Sequence, residues 1–373
     1  MRARHGRRLL IVVLAGVLLT GCAVQAPSEL PAVDTLAQQY DQLSGVWPTT
    51  GWWNSANSLT ALTDYMISSG DRRYVWVLEN TFSKKRNAER GNFVNEFTDD
   101  TGWWALAWIR AYDLTGDARY LNTARRDVAF MWSNHDDVCG GGLWWTVDHG
   151  YKNAISNELF VEAAAELATR TGADGAANLD RAVSVWEWFD ASGMVNDDLL
   201  VRDGLDPGNC RASSGETWTY NQGVVLGALV ALNAATGDDR YLEQARQLAD
   251  ASSKSAHLNV DGVLTEPCEE YGCDVNGPSF KGIYVRNLGE LNRALDDHPY
   301  SDYLIGQATI AFTHDRTTDN QYGMHWGGPL QGISGATQQS AVDLLLAAQP
   351  IKATVAAVTT GESSSGLATD HPR

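Results

Sequence analysis

Two adjacent aspartates, Asp99 and Asp100, stand directly before a strongly apolar and aromatic run, Thr-Gly-Trp103-Trp104-Ala-Leu-Ala-Trp108. Two carboxyl groups side by side cannot both ionise freely. Repulsion raises the pKa of one, so that one group can act as an acid while the other stays anionic. That is the equipment for cleaving a glycosidic bond through an oxocarbenium-like transition state. Retention of configuration requires the two groups about 5 to 5.5 Å apart, a spacing that neighbouring residues leaving an extended turn can reach. A plainer reading competes: Thr98, Asp99 or Asp100 caps the following helix, where negative charge suits the positive end of the helix dipole. The flanking tryptophans favour the chemical reading, because flat indole faces are surfaces on which a sugar ring can stack.

The elements that must hold this pair follow from a loose internal repeat. Ser69-Gly70-Asp71-Arg-Arg-Tyr74, Thr115-Gly116-Asp117-Ala-Arg-Tyr120 and Thr236-Gly237-Asp238-Asp-Arg-Tyr241 are nearly one phrase, with a degenerate copy at Thr171-Gly172-Ala-Asp174. Each copy follows an apolar helix and precedes another. The glycine suits a left-handed helix end, and the aspartate suits the start of the next helix. Helical periodicity places first members of hairpins at 57–68, 99–114, 157–171, 220–236, 281–295 and 336–348, and partners at 74–82, 118–134, 179–191, 239–253 and 301–315. Helix pairs recurring every 45 to 65 residues or so mean a solenoid or its closed form, and the lack of capping repeats favours closure. The expected architecture is all-α, an (α/α)6 barrel of six helical hairpins in one domain. The apolar first helices should form the inner ring and the amphipathic partners the outer one. β structure is expected only at short glycine-rich turns, such as a small hairpin around 139–145.

In such a ring the loops that lead into the inner helices converge on one face. Here they carry aromatics and amides: Trp52-Trp53-Asn54, the segment from Asp99 to Trp104, Trp144-Trp145, Tyr151 to Glu158, Trp218 to Gly223, and Phe280 to Arg286. Of the fourteen tryptophans, Trp76, Trp132, Trp186 and Trp188 lie on outer helices and read as packing. No GxSxG, HExxH, phosphate-binding loop or dinucleotide fingerprint occurs. The histidines, among them His135, His149, His298 and His325, are scattered. No cofactor is expected, and no metal.

The formal charge is −18. Such a surface repels nucleic acid, and no basic patch interrupts it. Residues 1–22 read as a lipoprotein signal peptide. Arg2, Arg4, Arg7 and Arg8 precede an apolar stretch, Leu9 to Leu19, too short to span a bilayer. Leu19-Thr20-Gly21-Cys22 resembles a bacterial lipobox, which makes Cys22 the expected lipidation site. Without the signal the chain carries 24 basic against 46 acidic residues, so the substrate should be neutral or cationic. Residues 23–33, with Pro27 and Pro31, read as a tether, 34–349 as the catalytic domain and 350–373 as a disordered tail. The protein is therefore expected to be exported, anchored to the outer face of the cell membrane, in contact with the membrane only through the lipid, and monomeric. Outside the reducing cytosol the remaining four cysteines form an even set. Cys268 and Cys273 are close enough for a local disulfide, which leaves Cys139 with Cys210. A zinc site would need a CxxC pair or histidines at ligand spacing, and neither is present.

Four motifs, in order, carry a family resemblance: Asp99-Asp100-Thr-Gly-Trp-Trp-Ala-Leu-Ala-Trp, Tyr151-Lys-Asn-Ala-Ile-Ser-Asn157-Glu-Leu, Thr219-Tyr-Asn-Gln-Gly223 and Phe280-Lys-Gly-Ile-Tyr-Val-Arg286. The chain resembles glycoside hydrolase family 76, the endo-α-1,6-mannanases, from about Leu43 to Ala348. The resemblance implies an (α/α)6 barrel, retention of configuration and no metal. It makes α-mannan or mannooligosaccharide the substrate, Asp99 the nucleophile and Asp100 the general acid/base. Trp52, Trp53, Trp103, Trp104, Asn153, Asn157, Tyr220, Asn221, Gln222, Lys281 and Tyr284 are the expected substrate-binding residues. The family also includes fungal cell-wall members that act as transglycosylases, so transfer of the glycan is an alternative to hydrolysis. A carbohydrate-binding lipoprotein without catalysis is a third reading, disfavoured by the intact acidic pair.

Overall fold

The computed structural model describes residues 26–351. The signal peptide with Cys22, and the expected tail from residue 352 onward, lie outside the described residues. Six helices form an inner ring: α2 (Trp52–Ser69), α4 (Thr98–Thr115), α6 (Ala154–Arg170), α8 (Thr219–Thr236), α10 (Phe280–Ala294) and α12 (Gly335–Ala347). Each packs on the next, and α12 packs on α2, so the ring closes. The outer ring is α1 (Leu30–Gln38), α3 (Val75–Lys85), α5 (Ala118–Ser133), α7 (Ala176–Ala191), α9 (Arg240–Lys254) and α11 (Ser301–His314). This is the (α/α)6 barrel expected from the repeat.

The inner helices are buried almost all round, which is why their sequences read as apolar and rich in small residues. Their small residues admit close contact between neighbouring backbones. A Cβ on Gly223 would lie 2.5 Å from Tyr284 Cα, and one on Gly282 would lie 2.3 Å from Ser340 Cα. The recurring Gly-Asp phrase marks the end remote from the cleft of three inner helices. Gly70, Gly116 and Gly237 end α2, α4 and α8 in the left-handed conformation, with φ of 78°, 71° and 71°. Asp117 then accepts a hydrogen bond from the Arg119 N–H at 2.9 Å and caps α5. Arg110 closes this end electrostatically, facing Asp64 at 3.5 Å, Glu166 at 3.9 Å and Glu290.

Two expectations are corrected. Residues 30–33, read as tether, are the start of α1. This helix packs on α12 and α2 and supplies the sixth outer position, the hairpin partner that the periodicity did not identify. Pro31 suggested an extended linker, but it occupies the first turn of the helix, where a missing N–H costs nothing. Ala32, Val33 and Leu36 are fully enclosed. Gln338 Nε2 donates to Ala32 O at 2.9 Å, and Trp47 Nε1 donates to Leu36 O at 2.7 Å. The second correction concerns β structure. Residues 139–145 contain a single turn of 3-10 helix (Val138–Gly140) and an isolated bridge between His135 and Leu143. The short strands lie elsewhere: β1 (Lys152–Asn153), β2 (Gly204–Asp206) and β3 (Arg211–Ala212) form one antiparallel sheet, and β4 (Asn259–Val260) pairs with β5 (Val263–Leu264).

Both expected disulfides are present, Cys139–Cys210 with Cα atoms 5.2 Å apart and Cys268–Cys273 with Cα atoms 4.8 Å apart. The first joins the loop ahead of β1 to the turn between β2 and β3.

If α1 is part of the barrel, truncating its core contact must weaken the whole fold. Leu36→Ala should cost about 2–5 kcal/mol of unfolding free energy, the range for a buried leucine. Chemical denaturation reads this as a lower midpoint, and an unchanged midpoint would return the segment to the status of a tether.

Candidate active site

Because every hairpin returns the chain to the same side, the six inner helices run in one direction and present their N-termini on one face. There a chamber of about 310 Å³ is lined by Trp53, Phe97, Asp99, Asp100, Trp103, Trp145, Tyr220, Asn276 and Phe280. Four inner helices contribute: Trp53 opens α2, the acid pair and Trp103 open α4, Tyr220 opens α8, and Phe280 opens α10. Ring faces build the walls. Trp53 stacks on Trp103 with centroids 5.5 Å apart, and Tyr220 stacks on Phe280 at 4.0 Å and 7°.

Asp99 and Asp100 are the second and third residues of α4. Neither caps the helix; the cap position is Phe97, whose side chain cannot accept a hydrogen bond. The start of α4 is held instead by the Thr98 N–H, which donates to Trp145 O at 2.7 Å. Each aspartate has its own amide donor. Asn153 Nδ2 donates to Asp99 Oδ2 at 3.2 Å, while the Asp100 N–H donates to Asp99 Oδ1 at 2.9 Å. Asn95 Nδ2 donates to Asp100 Oδ2 at 2.6 Å. Asn153 is fixed as the cap of α6, where its Oδ1 accepts from Ser156 N. Asn95 is fixed by accepting from the Phe97 N–H at 2.9 Å.

Both aspartates are half-buried in the wall of the chamber. Burial, joined by the charge of Asp100, pushes Asp99 well above the usual carboxylate range. Burial also lifts Asp100, to about 6, against the opposing hydrogen bond from Asn95. The pair thus retains one proton at a pH where two isolated aspartates would have lost both. Tyr220 beside it stays a neutral phenol, held so by burial and by the surrounding carboxylates.

Of the expected binding residues, Trp53, Trp103 and Tyr220 line the chamber and Asn153 touches Asp99. The others lie elsewhere. Trp104 is fully buried beneath α2, 4.9 Å from both Trp52 and Phe93, and Trp52 packs into that same cluster. Asn157 is a buried clamp, accepting from Leu143 N at 2.7 Å and donating to Leu143 O and Asn153 O. Gln222 does the same for Val201, through the N–H at 2.8 Å and the carbonyl at 2.9 Å. Asn221 is enclosed in the barrel with its amide unpartnered. Tyr284 is buried with its hydroxyl on Ser252 Oγ. Lys281 does not line the chamber: its ammonium meets Glu269 at 2.6 Å and Met324 O at 2.7 Å, over the ring of Trp326.

The structure adds groups that the motifs did not identify. Asn95, Phe97 and Asn276 sit in loops with no periodic signal. Asp203, in the loop before β2, receives the Tyr151 hydroxyl at 2.9 Å, and its charge is one of those that keep Tyr220 neutral. Only the Arg-Asp-Gly-Leu-Asp composition of that loop could have drawn attention to it.

Comparison with known proteins agrees with this geometry. A putative mannan endo-1,6-alpha-mannosidase of Schizosaccharomyces pombe is 29% identical over 280 residues, covering 69% of this chain and 62% of its own length. The mannan endo-1,6-alpha-mannosidase DFG5 of Candida albicans is 27% identical over 264 residues, covering 65% of this chain and 58% of its own. The chain thus spans about three-fifths of the length of these curated relatives. Among solved structures, an inactive variant of the α-1,6-mannanase GH76A of Salegentibacter sp. HEL1_6, with two neighbouring aspartates changed to asparagine and α-1,6-mannotriose bound, shares 25% identity. Its TM-score is 0.76, with 86% of this chain and 97% of that chain covered. The model of Glycosyl hydrolase family 76 matches residues 33–360, and this chain belongs to that family.

Proposed function

We propose that the protein is a retaining endo-acting glycoside hydrolase that cleaves α-1,6-mannosidic bonds of mannan through a covalent glycosyl-enzyme intermediate. The observation that carries the reading is the acid pair on the floor of an aromatic chamber, each carboxyl group oriented by its own amide. Family membership and the substrates named for its relatives support it.

Asp99 is the nucleophile in this reading, because hydrogen-bond donors reach both of its oxygens and favour the anion. Asp100 has a donor on Oδ2 only, so Oδ1 can carry the proton. Burial alone would leave that proton on Asp99; the two donors oppose it, and the pair titrates as a unit. In the first step an Asp99 oxygen attacks the anomeric carbon while Asp100 gives its proton to the departing glycosidic oxygen. In the second, Asp100 takes a proton from water, whose oxygen displaces Asp99 and releases the sugar. Half-buried Trp53 and exposed Trp145 offer ring faces for the apolar sides of the sugars.

The reading extends to location. The basic and apolar leader ending at Cys22 is a lipoprotein signal, and the lipid on Cys22 is the anchor. No described helix is long and apolar enough to cross a membrane.

Asp99→Asn and Asp100→Asn should each lower release of products from α-1,6-mannooligosaccharides by about 10²- to 10⁴-fold, followed by chromatography. Full activity in either variant would remove that residue from its role. Proton NMR of the first-formed product should show the α anomer; the β anomer would exclude a double displacement.

The pH profile of kcat/KM should be bell-shaped: the pair works with one proton, so activity falls at low pH as a second proton binds and at high pH as the last one leaves. The Asn95 amide stabilises the ionised form of Asp100, so Asn95→Ala should raise that pKa and move the alkaline limb to higher pH. A shift toward lower pH would contradict the assignment.

Cys22→Ala should transfer the exported protein from the membrane fraction to the soluble fraction. Retention in the membrane fraction would exclude the lipid anchor.

A further inference from the structure

A second chamber, of about 340 Å³, adjoins the first and shares two of its wall residues, Asn276 and Phe280. Its far wall is Trp218, Tyr271 and the loop closed by the Cys268–Cys273 disulfide. The acid pair does not reach it. Its size lies at the lower end of the roughly 300–1,000 Å³ typical of ligand sites.

The loop is built to hold a fixed shape. The disulfide closes it, and Gly277 packs so tightly beneath that a Cβ there would lie 2.9 Å from Cys268 Sγ. Lys281 anchors its base through Glu269 at 2.6 Å. Asp274 Oδ1 accepts from the N–H groups of Asn276 and Gly277, and Oδ2 accepts from Asn276 Nδ2. That leaves the Asn276 carbonyl to accept from Trp53 Nε1 at 2.9 Å. One side chain therefore joins the wall of the second chamber to an aromatic of the first. On this rigid frame Tyr271 stands 63% exposed, its ring unpartnered by any other aromatic among the described residues. An exposed aromatic buries little on folding, whereas on a cross-linked loop it offers a platform for a flat, neutral ligand. The one carboxylate lining the chamber, Asp274, uses both oxygens to hold the loop's own N–H donors.

We propose that the second chamber binds mannosyl units of the same glycan that lie beyond the scissile bond, and that Tyr271 on the disulfide-closed loop makes the enzyme prefer long chains over short ones. This rests on the mannanase reading and deepens it. A glycan seated in the catalytic chamber continues over Phe280 and Asn276 into the second, so binding there adds only for chains long enough to fill both.

The test compares kcat/KM for α-1,6-mannotriose and α-1,6-mannohexaose in the unaltered protein, Tyr271→Ala and Cys268→Ser/Cys273→Ser. The unaltered protein should favour the hexaose, and both variants should reduce the hexaose-to-triose ratio by about 5-fold, the loss of one stacking contact of order 1 kcal/mol. Because the Tyr271 side chain is exposed, its variant should melt at the same temperature as the unaltered protein, which separates a lost contact from lost folding. A ratio preserved in Tyr271→Ala, or an equal fall on both substrates, overturns the inference and leaves the mannanase reading intact. No cleavage of either substrate by the unaltered protein overturns both.

Discussion

Closing six helical hairpins into a ring imposes one direction on all six inner helices, and the rest of the molecule follows from that constraint. All inner N-termini share one face, so the positive ends of six helix dipoles are gathered where the acid pair lies. Each such end favours a nearby carboxylate by about 0.3–1 kcal/mol within its first turn. That is too little to offset the enclosure of Asp99 and Asp100, and burial keeps a proton on the pair. The opposite face receives six C-termini. There the left-handed glycines turn the chain, and Arg110 is ringed by Asp64, Glu166 and Glu290. The conspicuous repeats therefore mark the face remote from the chemistry, and the sequences that differ from one hairpin to the next make the cleft.

Two buried lysines show how the cleft loops are held. Lys152 is fully enclosed, and its ammonium has Asp136 Oδ1 at 2.8 Å and the carbonyls of Asp136, Val138, Gly141 and Gly142 within hydrogen-bond reach of its three N–H groups. Lys281 holds Glu269 and Met324 in the same manner at the start of α10. An unpaired ammonium there would be costly, so each lysine draws irregular backbone around itself as a set of acceptors. Their placement is alike: each lies against a tryptophan face, Trp144 or Trp326, at the entrance of an inner helix. The loops lining the cleft are ordered by such internal solvation in place of regular secondary structure.

The motif residues divided between cleft and core according to depth and rotation on a helix. Asn153 and Asn157 lie four residues apart on nearly one face of α6. One helical turn of about 5.4 Å separates the amide that touches Asp99 from the amide that clamps Leu143. Trp103 and Trp104 differ by about 100° of rotation, enough to put one on the chamber wall and the other in the cluster with Phe93. Gln222, Lys281 and Tyr284 are in the motifs because they fix loops and helix contacts, and sequence position alone cannot separate that duty from contact with a sugar. Asn95, Phe97, Asp203 and Asn276 were illegible for the converse reason. They come from irregular loops whose course depends on partners far away in the chain.

The sequence by itself determined the hairpin repeat, the division into apolar inner and amphipathic outer helices, the pairing of the cysteines and the acid pair at the start of α4. Each of these is a local pattern of period, charge or spacing, and local patterns survive without knowledge of the fold. Only the tertiary structure decided that α1 completes the outer ring, because Pro31 is equally at home in a linker and in a first helical turn. It also decided which ring faces meet in the chamber and that Asn153 and Asn95 each serve one aspartate. That Asp99 and Asp100 do not cap α4 was likewise a tertiary matter: burial among side chains from four inner helices, brought together by ring closure, is what raises their pKa values.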